Sequence, residues 1–188
     1  MTDVRTHGPD AARDLLVPNL RDLFAEVYAE PPYYDGPDEV AEFVGNFGKR
    51  ILRPGFRLIT GHDNNQMIGF LYGHTLPADT AWWKGLLTPA PPALTAEWDN
   101  RTVVIIDFVL RAAYRRRGVG RAMHDAFLAG RSEERATLLV RPEPEAGPAQ
   151  TAYTHWGYRR VGRLRPFPDS PEYDALVLDL RPPTPPHP

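Results

Sequence analysis

The stretch that decides the fold is RTVVIIDFVLRAAYRRRGVGRAMHDAF, residues 101–127. Its first ten residues form a near-continuous β-branched and apolar run, which is typical of a buried central strand. From Gly118 to about Leu128, apolar side chains recur at helical spacing. Arginines crowd two glycines in the connection, at Arg115, Arg116, Arg117, Gly118, Gly120 and Arg121. The sequence therefore predicts a strand, a tight turn and a helix.

The chemistry of this turn favours binding of a small anion. Glycine allows positive φ and lets a ligand approach the main chain closely. The first amides of a helix lack internal partners, and the helix dipole makes that end positive. Together these features predict a diphosphate cradle, with arginines at its rim. A plain turn with solvated arginines remains open as an alternative.

Two other ligands fit the turn less well. A nucleic-acid surface would need a second basic cluster with interleaved aromatic residues, and the net charge of −2 provides no general attraction for polyanions. A dinucleotide fold would need G-x-G-x-x-G, whereas the sequence reads GVGRAM. No nucleic-acid partner is expected.

Composition limits the remaining classes. The 188 residues suit one domain, expected over residues 1–180, followed by a flexible proline-rich tail, RPPTPPHP, at 181–188. The absence of cysteine excludes disulfides, thiolate metal sites and a cysteine-borne acyl intermediate, and no metal is expected. No signal peptide or membrane-spanning run is visible, which predicts a cytoplasmic protein without a membrane partner.

The flanking sequence predicts alternating helices and strands. Helical spacing over residues 10–30 predicts a helix that starts at Pro18, and a second helix runs from Asp38 to about Leu52. A hairpin with a polar turn at 62–65 follows, then an irregular loop over 78–100. The strand-turn-helix is succeeded by a strand, a short helix and two strands. This order predicts an α/β protein with a mixed sheet and helices on its faces.

Two motifs resemble one family. Arg115-Arg116-Arg117-Gly118-Val119-Gly120 is similar to the R/Q-x-x-G-x-G/A signature of GNAT-type, acyl-CoA-dependent N-acyltransferases. AQTAYTHWGY, about 30 residues later, resembles that family's A-x-x-x-Y-x-x-x-G-F/Y segment. The resemblance covers about residues 102–162. It implies a largely antiparallel mixed sheet that binds acyl-CoA where two central strands splay apart.

The resemblance also implies which residues hold acetyl-CoA, the expected cosubstrate. The pyrophosphate would lie on the backbone amides from Arg116 to Ala122, a stretch that includes Arg117, Gly118, Val119, Gly120 and Arg121. The pantetheine arm would pair with the strand near Val109, Leu110 and Arg111. Tyr153 falls on the tyrosine that protonates the departing thiolate in many members, and a homodimer is a reasonable assembly.

Amine acetylation requires a proton acceptor, because less than about 0.1% of an alkyl amine is neutral at pH 7. Asp107 is the first candidate, as the acid within the central apolar strand. Its usual pKa is too low for a direct base unless burial raises it. A water relay, a cation anchor and a merely structural strand residue remain open, with Glu97 and Asp99 as reserves.

Tyr153 suits the acid role because a phenol can donate a proton to a thiolate at modest cost. A core aromatic on a short helix is the alternative, and His155 is a second candidate. Since the chain has no cysteine, the acyl group should pass directly from acetyl-CoA to the amine.

Aromatic residues in two predicted loops are candidates for acceptor binding: Tyr33, Tyr34, Trp82 and Trp83. Exposed aromatic rings can stack on ligands or hold cations. The two tryptophans could equally pin the long loop to the domain.

The favoured function is an N-acetyltransferase that acts on the primary amine of a small molecule, an antibiotic or a metabolite. A protein or peptide amine is the nearer alternative. A non-catalytic acyl-CoA-binding regulatory module is the alternative from a different class.

Overall fold

A computed structural model of the protein describes residues 2–181. Seven strands form one sheet in the order β1-β2-β3-β4-β5-β7-β6. They are β1 Thr2–His7, β2 Arg57–Asp63, β3 Gln66–Thr75, β4 Thr102–Leu110, β5 Arg135–Val140, β6 Arg159–Leu164 and β7 Tyr173–Asp179. The α-helices are α1 Pro9–Leu15, α2 Arg21–Tyr28, α3 Pro37–Arg50, α4 Pro92–Thr95, α5 Val119–Leu128 and α6 Gly147–His155. The predicted α/β class with a mixed, largely antiparallel sheet is confirmed.

The described residues divide into two compact units. The first contains residues 2–74 and 105–131, and the second contains 75–104 and 132–181. The sequence predicts a single domain over 1–180, and this stays a prediction. Its proline-rich tail lies outside the described residues from 182 onward.

In the first unit, helices cover both faces of β2 and β3. Aromatic side chains of α2 and α3 pack on one face; Phe24 stacks on Phe43 at 4.3 Å between ring centroids. On the opposite face α5 lies so close that a side chain at Gly61 would meet the Met123 sulfur at 3.0 Å. This two-sided packing explains why β2 and β3 read as continuous apolar runs.

The N-terminal strand β1 is absent from the predicted element order. It pairs antiparallel with β2 at one edge of the sheet, from Thr2 opposite Asp63 to His7 opposite Leu58. Its sequence, TDVRTH, holds one aliphatic residue, and its side chains are mostly exposed. Edge strands often carry charged residues, so the hydrophobic pattern gives little signal there.

The first predicted helix starts at Pro18 as expected, but a separate helix, α1, precedes it. The chain is helical from Pro9, leaves helical geometry at Val17 (φ −126°, ψ 128°), and becomes helical again in α2. A residue that precedes proline is disfavoured in the helical region, which explains the break before Pro18.

The second unit contains the other sheet edge. β4 starts parallel to β5, with Thr102–Val104 opposite Arg135–Thr137. β7 pairs antiparallel with both β5 and β6. A small apolar cluster of Trp83, Leu164, Ala175 and Val177 joins the loop at 82–85 to these strands. Within residues 2–181 no helix has the length and apolarity needed to cross a membrane.

Candidate active site

The turn between β4 and α5 has a left-handed backbone at two positions. A short 3-10 helix, Ala112–Tyr114, follows the strand, and Arg116 has φ 60°. Gly118 has φ 81° and directly precedes α5. A side chain built at Gly118 would meet no atom within 4 Å, so this face of the turn is open. Gly120, by contrast, lies within the first turn of the helix.

The backbone groups at the two ends of α5 have different hydrogen-bond partners. At the C-terminus, Arg57 Nη1 donates to the carbonyls of Phe127 and Ala129, at 2.7 Å each. At the N-terminus the Ala122 amide donates to the Gly118 carbonyl at 3.0 Å, and no side chain caps the helix. The amides that precede Ala122 in the first turn have no acceptor within the helix. The N-terminus of α5 therefore offers donors and a positive dipole end to an anion.

The arginines around the turn are used in different ways. Arg115 donates to the Leu110 carbonyl at 3.0 Å and forms an ion pair with Glu30 at 2.8 Å. Arg121 pairs with Asp125, one helical turn further along. The side chains of Arg116 and Arg117 are exposed, and Arg117 lies over the Tyr114 ring. Those two exposed side chains place positive charge beside the amides.

The end of β4 is fixed against β3. The Arg111 amide donates to the Ile68 carbonyl at 3.0 Å, and the Arg111 side chain forms a bidentate ion pair with Glu26, from Nε to Oε1 and from Nη2 to Oε2. A side chain at Gly69 would lie 2.7 Å from the Val109 carbonyl, so only glycine allows this close approach. Since backbone groups alternate along a strand, the amide and carbonyl of Leu110 point away from β3.

Asp107 lies at the centre of a polar cluster in the first unit. Tyr72 donates to Asp107 Oδ2 at 2.5 Å, and Tyr28 donates to Oδ1 at 3.4 Å. Arg50 Nη1 is 3.9 Å from Oδ2 and donates to the Tyr72 hydroxyl at 2.9 Å. The Asp107 side chain retains 17% of its accessible surface, so it is reachable from outside.

Burial raises the pKa of Asp107, while the hydrogen bond from Tyr72, the charge of Arg50 and the hydrogen bond from Tyr28 oppose that rise. The direction is the one a proton acceptor needs. A carboxylate whose pKa is raised by burial is a better base than a solvated one.

Tyr33 and Tyr34 follow Tyr28, a member of this cluster, in the sequence. The two side chains differ in exposure. The Tyr33 ring meets the Tyr28 ring edge-on at 4.5 Å between centroids, and Tyr28 contacts Asp107. Tyr34 is 71% exposed and has φ 55°. Tyr33 is thus linked through one ring to the Asp107 carboxylate.

The two tryptophans belong to the second unit. Trp83 is 6% exposed, and its indole nitrogen donates to Glu97 at 2.8 Å. Glu97 is itself buried in an ion pair with Arg135 at 2.7 Å. These contacts suit the alternative in which Trp83 pins the loop. Trp82 is half-buried, and its ring meets that of Trp83 edge-on.

The two candidates for the general acid, Tyr153 and His155, and the reserve base Asp99 belong to the second unit. Tyr153 on α6 is buried, with its ring against Trp156 and Tyr158 at 5.6 Å each. His155 is exposed, and its Nδ1 lies 2.8 Å from the Thr151 carbonyl on its own helix. Asp99 is exposed in the segment before β4. The ring contacts of Tyr153 also suit its alternative role as a core aromatic.

Sequence reasoning did not single out the partners of Asp107. Tyr28, Arg50 and Tyr72 lie on three separate elements, 79, 57 and 35 residues before it. The available signal was weak: Tyr72 is a hydroxyl-bearing residue within the apolar run of β3.

Comparison with known proteins supports this architecture. No curated protein matches the sequence significantly. Among solved structures, aminoglycoside 6'-acetyltransferase type Ii matches with a TM-score of 0.63 at 13% identity, covering 97% of this chain and 99% of that chain. Arabidopsis thaliana NAA60 in complex with acetyl-CoA gives 0.63 at 16% identity, covering 96% and 99%.

A third structure, an aminoglycoside acetyltransferase (HMB0005) from an uncultured soil metagenomic sample, gives a TM-score of 0.56 at 15% identity, covering 85% and 92%. At these identities the structures establish a shared fold. The model of the acetyltransferase (GNAT) family matches residues 17–158, which include the β4–α5 turn and the α6 motif. The chain therefore belongs to the acetyltransferase (GNAT) family and is an acetyl-CoA-dependent N-acetyltransferase.

Proposed function

We propose that the protein transfers an acetyl group from acetyl-CoA to the primary amine of a small molecule, directly and within a ternary complex. The observation that supports acetyl-CoA as the donor is the asymmetry of α5. Arginine caps its C-terminus, whereas its N-terminus lacks a side-chain cap and is preceded by an open glycine. Such an end is suited to a diphosphate.

The residues present fit the coenzyme. The amides of Val119, Gly120 and Arg121 supply donors for a diphosphate, and the exposed Arg116 and Arg117 add positive charge. When bound, acetyl-CoA supplies the activated acetyl group. On β4, the Leu110 amide points away from β3 and can pair with the pantetheine arm, because Arg111 is bonded to β3, while the Leu110 carbonyl accepts from Arg115.

Asp107 has the chemistry to receive the acceptor amine. An ammonium group would be attracted to its carboxylate, and the Tyr28 and Tyr33 rings nearby favour cations. Asp107 would then accept the proton that the ammonium must lose before attack. A single partly accessible carboxylate beside aromatic rings matches a small cationic amine.

Tyr153 would protonate the departing thiolate, as the family resemblance implies. The proposal assigns Trp82 and Trp83 to the acceptor pocket, with Trp83 as the more deeply anchored of the two. Because the chain has no cysteine, no cysteine-acyl intermediate is available and the amine must attack the thioester directly.

The test is thiol release from acetyl-CoA in the presence of polyamines, aminoglycosides, amino acids and peptides. Saturable turnover with a small amine, and none with peptides, is expected. Turnover confined to peptides would replace the small-molecule acceptor with a peptide. Calorimetric binding of coenzyme A without turnover on any amine would favour the regulatory module.

A further inference from the structure

A hydrogen-bonded chain connects Asp107 to the end of α3. Arg50, the last residue of α3, donates to the Tyr72 hydroxyl at 2.9 Å, and Tyr72 donates to Asp107 Oδ2 at 2.5 Å. Tyr72 is fully buried, whereas the Arg50 side chain is 34% exposed. The carboxylate is therefore connected to solvent through one phenol and one guanidinium.

The two carboxylate oxygens have different surroundings. Oδ2 accepts the short bond from Tyr72 and lies 3.9 Å from Arg50. Oδ1 has a contact with Tyr28 at 3.4 Å, near the upper limit for a hydrogen bond. Charge-assisted bonds near 2.5–2.7 Å are the stronger kind, so Oδ2 is the fixed oxygen.

Three elements present titratable groups to Asp107: Tyr28 from α2, Arg50 from α3 and Tyr72 from β3. Glu42 on α3 faces Arg50. Burial raises the pKa of Tyr72 well above its usual value, and the charge of Asp107 raises it further. Tyr72 therefore keeps its proton at neutral pH and can act only as a donor to the carboxylate.

We propose that Tyr72 and Arg50 are positioning residues that hold Oδ2 of Asp107 and leave Oδ1 to receive the proton of the acceptor amine. In the transfer, the N–H bond of the ammonium breaks, its proton bonds to Oδ1, and the nitrogen lone pair becomes free to attack the acetyl carbonyl. Tyr72 and Arg50 remain protonated throughout. This inference rests on the proposed acceptor role of Asp107.

Tyr72→Phe tests the inference because it removes one hydroxyl and little volume. The hydrogen bond from Tyr72 lowers the pKa of Asp107, so its loss raises that pKa and moves the acidic limb of kcat/KM to higher pH. At a pH on this limb we expect kcat/KM to fall about tenfold, with the alkaline plateau and the KM for acetyl-CoA retained. Tyr173→Phe is the matched control, since it removes another phenol that bonds an arginine, Arg141.

Arg50 gives a second, more exposed site for the same test. Arg50→Gln should move the acidic limb in the same direction, and Arg50→Lys, which keeps the charge, should move it less. If Tyr72→Phe and Arg50→Gln both lower kcat evenly at all pH values, with no movement of the limb, the positioning role is wrong.

A titration independent of turnover separates this inference from the proposed function. Carboxyl-¹³C NMR of labelled aspartate follows the ionisation of Asp107, whose signal is identified by its loss in Asp107→Asn. A higher pKa in Tyr72→Phe supports the positioning pair even if no acceptor amine is turned over. An unchanged pKa overturns the inference while leaving the acetyltransferase assignment intact.

Discussion

The turn between β4 and α5 and the residue Asp107 lie on one continuous stretch of chain, yet the turn and the cluster around Asp107 are built in different ways. The turn is made from backbone groups of consecutive residues, with Gly118 at φ 81° and the first amides of α5. The cluster combines side chains from α2, α3, β3 and β4. The turn is a local structure, whereas the cluster around Asp107 exists only in the folded unit.

This difference indicates which substitutions should disrupt each site. A backbone cradle tolerates changes of neighbouring side chains but not a change in its main-chain angles. A buried carboxylate depends on every side chain that solvates it. Substitutions should therefore separate coenzyme binding from turnover.

The largest expected effect is that of Asp107→Asn. Loss of a general base lowers the rate by about 10²–10⁴-fold, so kcat/KM should fall by at least about 100-fold with coenzyme A affinity preserved. Steady-state thiol release and calorimetry measure the two quantities. Asp22→Asn, an exposed carboxyl on α2, is the control. Full activity in Asp107→Asn would remove Asp107 from the mechanism.

Tyr153→Phe should have the next largest effect on turnover. If Tyr153 protonates the thiolate, kcat falls by about 100-fold, because a general acid contributes about 10²–10⁴-fold. Coenzyme A affinity should change little, since in the proposed role the hydroxyl would meet the sulfur and not the diphosphate. A kcat equal to that of the wild type would mean that Tyr153 is a core aromatic.

Gly118→Ala tests the turn against an internal control at the other end of α5. Gly118 and Gly130 both have positive φ, 81° and 68°, and both face open space. Alanine at either position should lower the free energy of unfolding by about 1–2 kcal/mol. Only Gly118→Ala should weaken coenzyme A binding, by about tenfold, measured by calorimetry. Equal affinities in the two variants would place the coenzyme elsewhere.

Trp82→Ala and Trp83→Ala test whether each tryptophan lines the acceptor pocket or fixes the long loop to the rest of its unit. Removal of Trp82 should raise the acceptor KM several-fold, by about the strength of a cation–π contact, with little loss of stability. Trp83→Ala should lower the melting temperature as well, because Trp83 is buried and bonded to Glu97. If acceptor KM and kcat are unchanged in both, these residues do not line the pocket.

The smallest effect belongs to the exposed arginines. Arg116→Gln and Arg117→Gln should each weaken coenzyme A binding about two- to fivefold, since a solvated charge contributes about 0.3–1 kcal/mol beside a helix end. The loss should shrink at high salt. If either arginine variant lost more coenzyme A affinity than Gly118→Ala, the arginine side chains and not the backbone amides would be the main contacts.

Much of the fold follows from the sequence, because its strongest signals are local. The apolar run of β4, the polar hairpin turn at 62–65 and the glycine-ended helix α6 each lie where the pattern predicts them. Strand β1 was missed because an exposed edge strand has little hydrophobic signal. The start of a helix at Pro18 was predicted correctly, because proline disfavours helical geometry at Val17, but the separate helix α1 before it was not predicted.

By itself, then, the sequence determined the strand-turn-helix and the family motif, since glycine geometry and helix amides depend on adjacent residues. Only the tertiary structure decided what surrounds Asp107. Tyr28, Arg50 and Tyr72 are distant in sequence, and their hydroxyl and guanidinium groups meet the carboxylate because helices pack over β3. The physical reason is that a pKa depends on burial and on neighbours in space, which no linear pattern contains.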